Sequence, residues 1–244
     1  MSTAEGIVRD ADSPLEEPLT YWERVARTRW GRYTTHVVDR AVRESTLLAG
    51  SPTVAIEIGC DGGRWSALLS RAGWSMVCTD IDLSTLSICK RRLPDALTIL
   101  VRDTMSGIPC RSQSVGMAVC LEVGPVVQSS WFLPEVSRIL VKGGLLVGVF
   151  YNRCSLRGLF VHAQDLRRGS FDYYRLAYVP WRTKLRQHGF SLVHEEGCCW
   201  FPFSRTSDSR LVPAFTGLER FLGLRRLAAL SPWVVFVVRK NETI

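Results

Sequence analysis

Apolar residues along the chain follow two alternating rhythms. Short, mostly apolar runs at Val54–Ile58, Ser75–Thr79, Leu97–Val101, Val115–Leu121 and Leu145–Phe150 lean toward β-branched side chains. Runs of that length predict strands of a parallel sheet, covered on both faces. Between them the spacing lengthens to three or four residues. Trp65, Leu68, Leu69 and Ala72 share one helical face, Leu83–Arg92 follows the cap residues Asp82 and Ser84, and another helical pattern ends at Glu135–Leu140. Residues 20–48 read as helical and stop at Ala49-Gly50-Ser51-Pro52. Strand alternating with helix predicts an α/β fold with a doubly wound, mostly parallel sheet, whose ligands sit at the carboxyl ends of the strands. Beyond residue 150 the rhythm weakens. A helix is expected over Pro180–Gln187 with Gly189 behind it, strands over Phe190–Val193 and Cys198–Phe203, and a last strand from Ser231 to Val238.

The stretch with the most chemical content runs from Val54 to Trp65, a strand joined to a helix through Gly59, Gly62 and Gly63. Such a turn brings backbone N–H groups to a ligand at the positive end of a helix, a geometry that nucleotides and nucleotide-like cofactors use. The dinucleotide pattern G-x-G-x-x-G does not fit, because Asp61 and Arg64 occupy two of its glycine positions. The pattern acid-x-G-x-G-x-G fits better: it starts at Glu57, finds Gly59 and Gly63, and meets Asp61 in between. Asp80 ends the second strand 23 positions after Glu57. An acid there accepts hydrogen bonds from a ribose diol, and as a plain helix cap it would do no more than close a turn.

The glycine pattern resembles the first motif of class I S-adenosylmethionine (SAM)-dependent methyltransferases. Asp103 ahead of Ile108-Pro109, a strand ending in Leu121-Glu122-Val123, and the block Glu135–Val147 extend that likeness over residues 52–152. Together they resemble the small-molecule methyltransferases of the ubiquinone and menaquinone biosynthesis type. Val141-Lys142 stands where that group commonly has Lys-Pro. The resemblance implies a seven-stranded sheet closed by an antiparallel pair, and SAM as cofactor. It implies that Glu57, Gly59, Cys60, Asp61 and Gly63 surround the methionine part of SAM. Asp80 and Ile81 would take the ribose and adenine face, Asp103 and Thr104 the adenine amino group, and Leu121 and Glu122 the sulfonium side. Asp61 either meets the cofactor's ammonium group or yields its place to Gly62. If it does neither, the chain is a non-binding relative.

Composition narrows the acceptor only a little. The 244 residues carry a net charge of +8, which suits nucleic acid, anionic lipid or an acidic substrate. No run of basic residues extends beyond Arg-Arg or Lys-Arg-Arg clusters, and Leu121-Glu122-Val123-Gly124-Pro125 lacks the Pro-Pro-aromatic ending of amino-directed nucleic-acid methyltransferases. Eight scattered cysteines without a C-x-x-C pair read as reduced thiols of a cytoplasmic protein, and the four histidines have no zinc-ligand spacing. No apolar run reaches the ~18 residues of a membrane span.

Residues 1–18 are expected to be a disordered tail without a signal sequence, and 19–244 one domain. Within it, 19–50 would hold cap helices, 52–152 the SAM-binding core, and 153–179 and 204–230 substrate-side inserts. Tyr151-Asn152-Arg153 should face the pocket mouth. The segment 211–230 alternates leucines and phenylalanines with arginines, a pattern for peripheral membrane contact or for packing on its own domain. The expected function is methyl transfer to oxygen, nitrogen or carbon of a small aromatic or lipid-like acceptor. An oxygen acceptor needs a base, for which His162, His194, Tyr151 and Glu122 are candidates. The alternatives are a tRNA or rRNA methyltransferase and an inactive SAM-fold scaffold.

Overall fold

The computed structural model describes residues 19–104 and 106–242; the expected tail over 1–18 lies outside them. Seven strands are built from the runs anticipated above: β1 (Val54–Ile58), β2 (Ser75–Asp80), β3 (Leu97–Leu100), β4 (Val115–Cys120), β5 (Leu140–Tyr151), β6 (Phe190–Cys198) and β7 (Trp233–Lys240). They form one sheet in the order β3-β2-β1-β4-β5-β7-β6, in which β7 alone runs antiparallel to its two neighbours. All six residues of β4 are buried, as expected of a central parallel strand.

Nine helices flank the strands among the described residues. They are α1 (Tyr21–Arg27), α2 (Arg29–Leu48), α3 (Arg64–Arg71), α4 (Leu83–Arg92), α5 (Gly124–Val127), α6 (Phe132–Ile139), α7 (Leu156–Arg168), α8 (Tyr178–Gln187) and α9 (Val212–Phe221). Alternation along the strands sorts the core into two layers. Met117, Val119, Val147 and Val235 pack with Val38 and Val42 of α2 and Leu69 of α3. Ala118, Cys120, Leu146 and Phe236 pack with Phe132 and Val136 of α6 and Trp181 of α8. Strand order reverses between β1 and β4, so the crevice beyond their carboxyl ends is the expected ligand position.

Three local departures have physical causes. The helical stretch 20–48 is two helices. Thr28 is extended (φ −68°, ψ 163°), its backbone N–H closes α1 on the Val25 carbonyl, and its hydroxyl caps α2 by accepting from Gly31 N at 3.0 Å. Strand β5 starts at Leu140 instead of 145, because Val141–Gly144 stay in the sheet with Gly143 at φ 76° and a register shift between Val115 and Met117. Cys198–Phe203 is not a strand beyond Cys198, since Cys199 adopts φ 65° and turns the chain out of the sheet.

Candidate functional site

The turn after β1 is fixed from below. The N–H groups of Gly59 and Cys60 both donate to the Thr79 carbonyl of β2, at 2.8 and 3.0 Å. Gly59 has φ +76°, and a Cβ there would lie 2.5 Å from Val123 Cγ2, so neither backbone nor space admits a side chain. Asp61 sits at φ 50°, a left-handed conformation that aspartate tolerates better than most residues. Its N–H donates to Asp80 Oδ2 at 2.8 Å. Its carboxylate accepts from the hydroxyl of Thr20, the residue that caps α1. Burial pushes the Asp61 carboxyl up, and the Thr20 hydrogen bond opposes that. A second tie runs beside it: Arg92 Nη1 donates to the Gly62 carbonyl at 2.9 Å, and the same guanidinium pairs with Glu23 of α1. The motif aspartate therefore helps hold α1 over the turn.

A cavity of about 480 Å³ opens at this point, within the usual range of small-ligand sites. Of the residues anticipated from sequence, Gly59, Asp61, Asp80, Ile81, Asp103, Leu121 and Glu122 line it. Asp80 is oriented by two backbone donors, Asp61 N on Oδ2 and Asp82 N on Oδ1. Each of its oxygens keeps a further acceptor site for a diol. From the other side α1 and α2 contribute Trp22, Val25, Ala26, Trp30, Thr34 and Thr35. The fit to SAM is chemical: two acids beyond adjacent strands, a turn that a Cβ would block, and the Arg64 cation in the wall.

Four anticipated residues are placed elsewhere. Glu57 points into the α3 layer, is 2% exposed, and accepts from Ser66 Oγ at 2.5 Å; burial pushes its pKa up to about 8. Cys60 is buried in the same layer as Cys78 and Cys89. Gly63 begins α3 with φ +80°, where a Cβ would meet Cys89 Sγ at 2.6 Å, so its role is packing. Thr104 is exposed in the turn after β3 and does not line the cavity.

Three of the four expected bases are also away from the cavity wall. His162 lies on α7 with Nδ1 2.6 Å from Asp172 Oδ2. His194 lies on the edge strand β6, with Nε2 3.7 Å from Glu196. Tyr151 is buried beneath the cavity, and its burial pushes the phenol well above its ordinary value. Asn152 faces inward, donating to the carbonyls of Ala229 and Ser231 at 2.9 and 3.0 Å.

Glu122 is the expected base that does line the cavity. It adopts φ 60°, and burial raises its pKa against the opposing charges of Arg205 and Arg64. Arg205 was not foreseen. Its guanidinium enters the cavity wall, with Nη1 3.4 Å from Glu122 Oε2 and Nη2 donating to the Tyr151 hydroxyl at 2.7 Å. The rings of Trp22, Tyr151 and Trp233 surround it, with centroids 5.0, 5.4 and 5.0 Å from its central carbon. Trp131 and Tyr173 complete an aromatic wall. No period or motif marks Arg205, which lies in the irregular stretch between β6 and α9. Arg64 had a signal, its place directly after the glycine turn.

Residues 56–148, from within β1 through most of β5, match the family described as "Methyltransferase domain". That stretch is a methyltransferase domain, and the seven-stranded sheet that contains it has the class I, SAM-dependent methyltransferase fold. Solved structures resemble this methyltransferase in fold. A SAM-dependent methyltransferase from Mesorhizobium loti is 14% identical, with a TM-score of 0.60 over 88% of this chain and 100% of that one. Geranyl diphosphate methyltransferase in complex with GPP and sinefungin is 14% identical, with a TM-score of 0.57 over 82% and 77%. The cyclase SpnF is 15% identical, with a TM-score of 0.61 over 89% and 85%. No curated protein sequence matches the chain significantly.

Proposed function

We propose that this methyltransferase transfers the SAM methyl group to a small molecule seated against Arg205, Glu122 and the rings of Trp22, Tyr173 and Trp233. The observation that carries this reading is continuity: the glycine turn, the two acids and the aromatic wall border one cavity. In this reading the Gly59–Asp61 backbone and Arg64 hold the methionine part, Asp80 the ribose diol, Ile81 and Asp103 the adenine. Leu121 and Glu122 face the sulfonium side. When bound, SAM supplies an electrophilic methyl group.

The remaining work belongs to the protein. Trp22, Trp30 and Trp131 exclude water and orient the acceptor in line, which can supply much of the rate. A dry wall also strengthens each charge placed at the reacting centre. Glu122 is the carboxylate positioned to accept a proton from an acceptor hydroxyl, and its upward-shifted pKa brings it nearer to working pH. Residues 19–50 then act as the cap and 204–230 as the insert that contributes Arg205. A lipid-like acceptor delivered from an anionic bilayer is supported by Phe221 and Leu222 of the α9 end, which are 85% and 55% exposed beside Arg225 and Arg226.

The test is to incubate the protein with methyl-tritiated SAM and a cell extract, then separate small molecules, RNA and protein. Label in the small-molecule fraction that disappears with Asp80→Ala supports the reading. Label confined to RNA or protein contradicts it.

A further inference from the structure

We propose that Arg205 is the anchor for a single carboxylate on a flat, apolar acceptor. The inference rests on the reading above and names the class of molecule that the acceptor end selects.

Arginine has five N–H donors. One reaches Glu122 at the long distance of 3.4 Å and one reaches the Tyr151 hydroxyl at 2.7 Å. The other three have no acceptor among the described residues, although the side chain borders the cavity and is largely shielded from solvent. The Glu122 contact is single, so the two-pronged geometry that guanidinium offers a carboxylate is unspent. Three rings clamp the cation in place, and an ordered guanidinium loses little freedom when it binds an anion.

Charge balance selects a monoanion. The other cation of the cavity wall, Arg64, donates to Thr35 Oγ1 at 3.1 Å and lies over the Trp65 ring at 4.4 Å. Arg205 therefore faces the acceptor end with Glu122 beside it. A phosphate monoester would bring two charges to a site with one cation and a carboxyl neighbour. A carboxylate brings one. The body attached to it meets Trp22, Tyr173 and Trp233, surfaces suited to a planar aromatic or conjugated frame.

The experiment titrates the protein, loaded with S-adenosylhomocysteine, with three acid and amide pairs: indole-3-acetate and its amide, cinnamate and its amide, 2-naphthoate and its amide. At least one acid should bind about tenfold or more tighter than its amide, the size expected of charge-assisted hydrogen bonds. In Arg205→Gln that preference should fall below about twofold, while affinity for S-adenosylhomocysteine stays as in the wild type. Equal binding of acid and amide in all three pairs overturns the proposal, and so does a preference that survives Arg205→Gln. The wild-type comparison decides even if the variant misfolds. Failure of the cofactor titration alone identifies failure of the methyltransferase reading instead.

Discussion

Glu57 shows how a motif position and a binding position part company. It is the acid that begins the glycine pattern, yet its side chain serves the α3 layer through Ser66. Its pKa rises from 4.5 in a free chain to about 8 in the folded protein. The folded state therefore holds an extra proton between those values. The resulting stability is fully present below pH 4.5 and is lost as pH climbs toward 8. Melting temperatures of wild type and Glu57→Gln across pH 5–9 should diverge accordingly, the variant showing the flatter profile. Parallel profiles would mean that Glu57 ionises freely. The acids beyond the strands were legible because an acid at a strand end is visible in sequence. The direction in which Glu57 points was not, since the strand pattern alone does not say which layer holds the ligand.

At the scale of elements, α1 is the piece that sequence periodicity described least well. The run 20–48 is helical in character throughout, and the break at Thr28 is marked only by a hydroxyl able to cap. What places α1 is long-range: Thr20 on Asp61 and Glu23 on Arg92. Asp61→Ala should then loosen α1 without unfolding the sheet. Amide exchange should rise across residues 21–27 while β4 and β5 stay protected, at a cost on the order of 1–3 kcal/mol for a lost charge-assisted bond. Unchanged exchange in α1 would contradict the latch. The strands were legible because buried parallel strands are continuous apolar runs. The departure at Cys199 was not, because a single left-handed residue leaves no trace in hydrophobicity.

Across the whole molecule, the sheet order places the glycine turn, Asp80 and Glu122 at one edge, and the chain after β6 returns Arg205 to that edge. Sequence alone conveyed the alternation and hence the sheet. It could not convey that return, which depends on packing of Phe203 and Phe215 with Trp30 and Phe201. No helix among the described residues is long and apolar enough to cross a membrane. The net charge of +8 with exposed Phe221 and Leu222 predicts instead a surface contact. Sedimentation with vesicles containing anionic lipid should carry the protein down at low salt, and Phe221→Glu should weaken this severalfold. Equal sedimentation with neutral vesicles would remove the charge argument.

The most direct test of the central claim is calorimetric titration with SAM and S-adenosylhomocysteine, on the wild type and on Asp80→Ala. The geometry predicts micromolar binding of both ligands to the wild type and a loss of about tenfold or more in the variant, whose diol acceptor is gone. Absence of heat and of thermal stabilisation with either ligand would contradict the account.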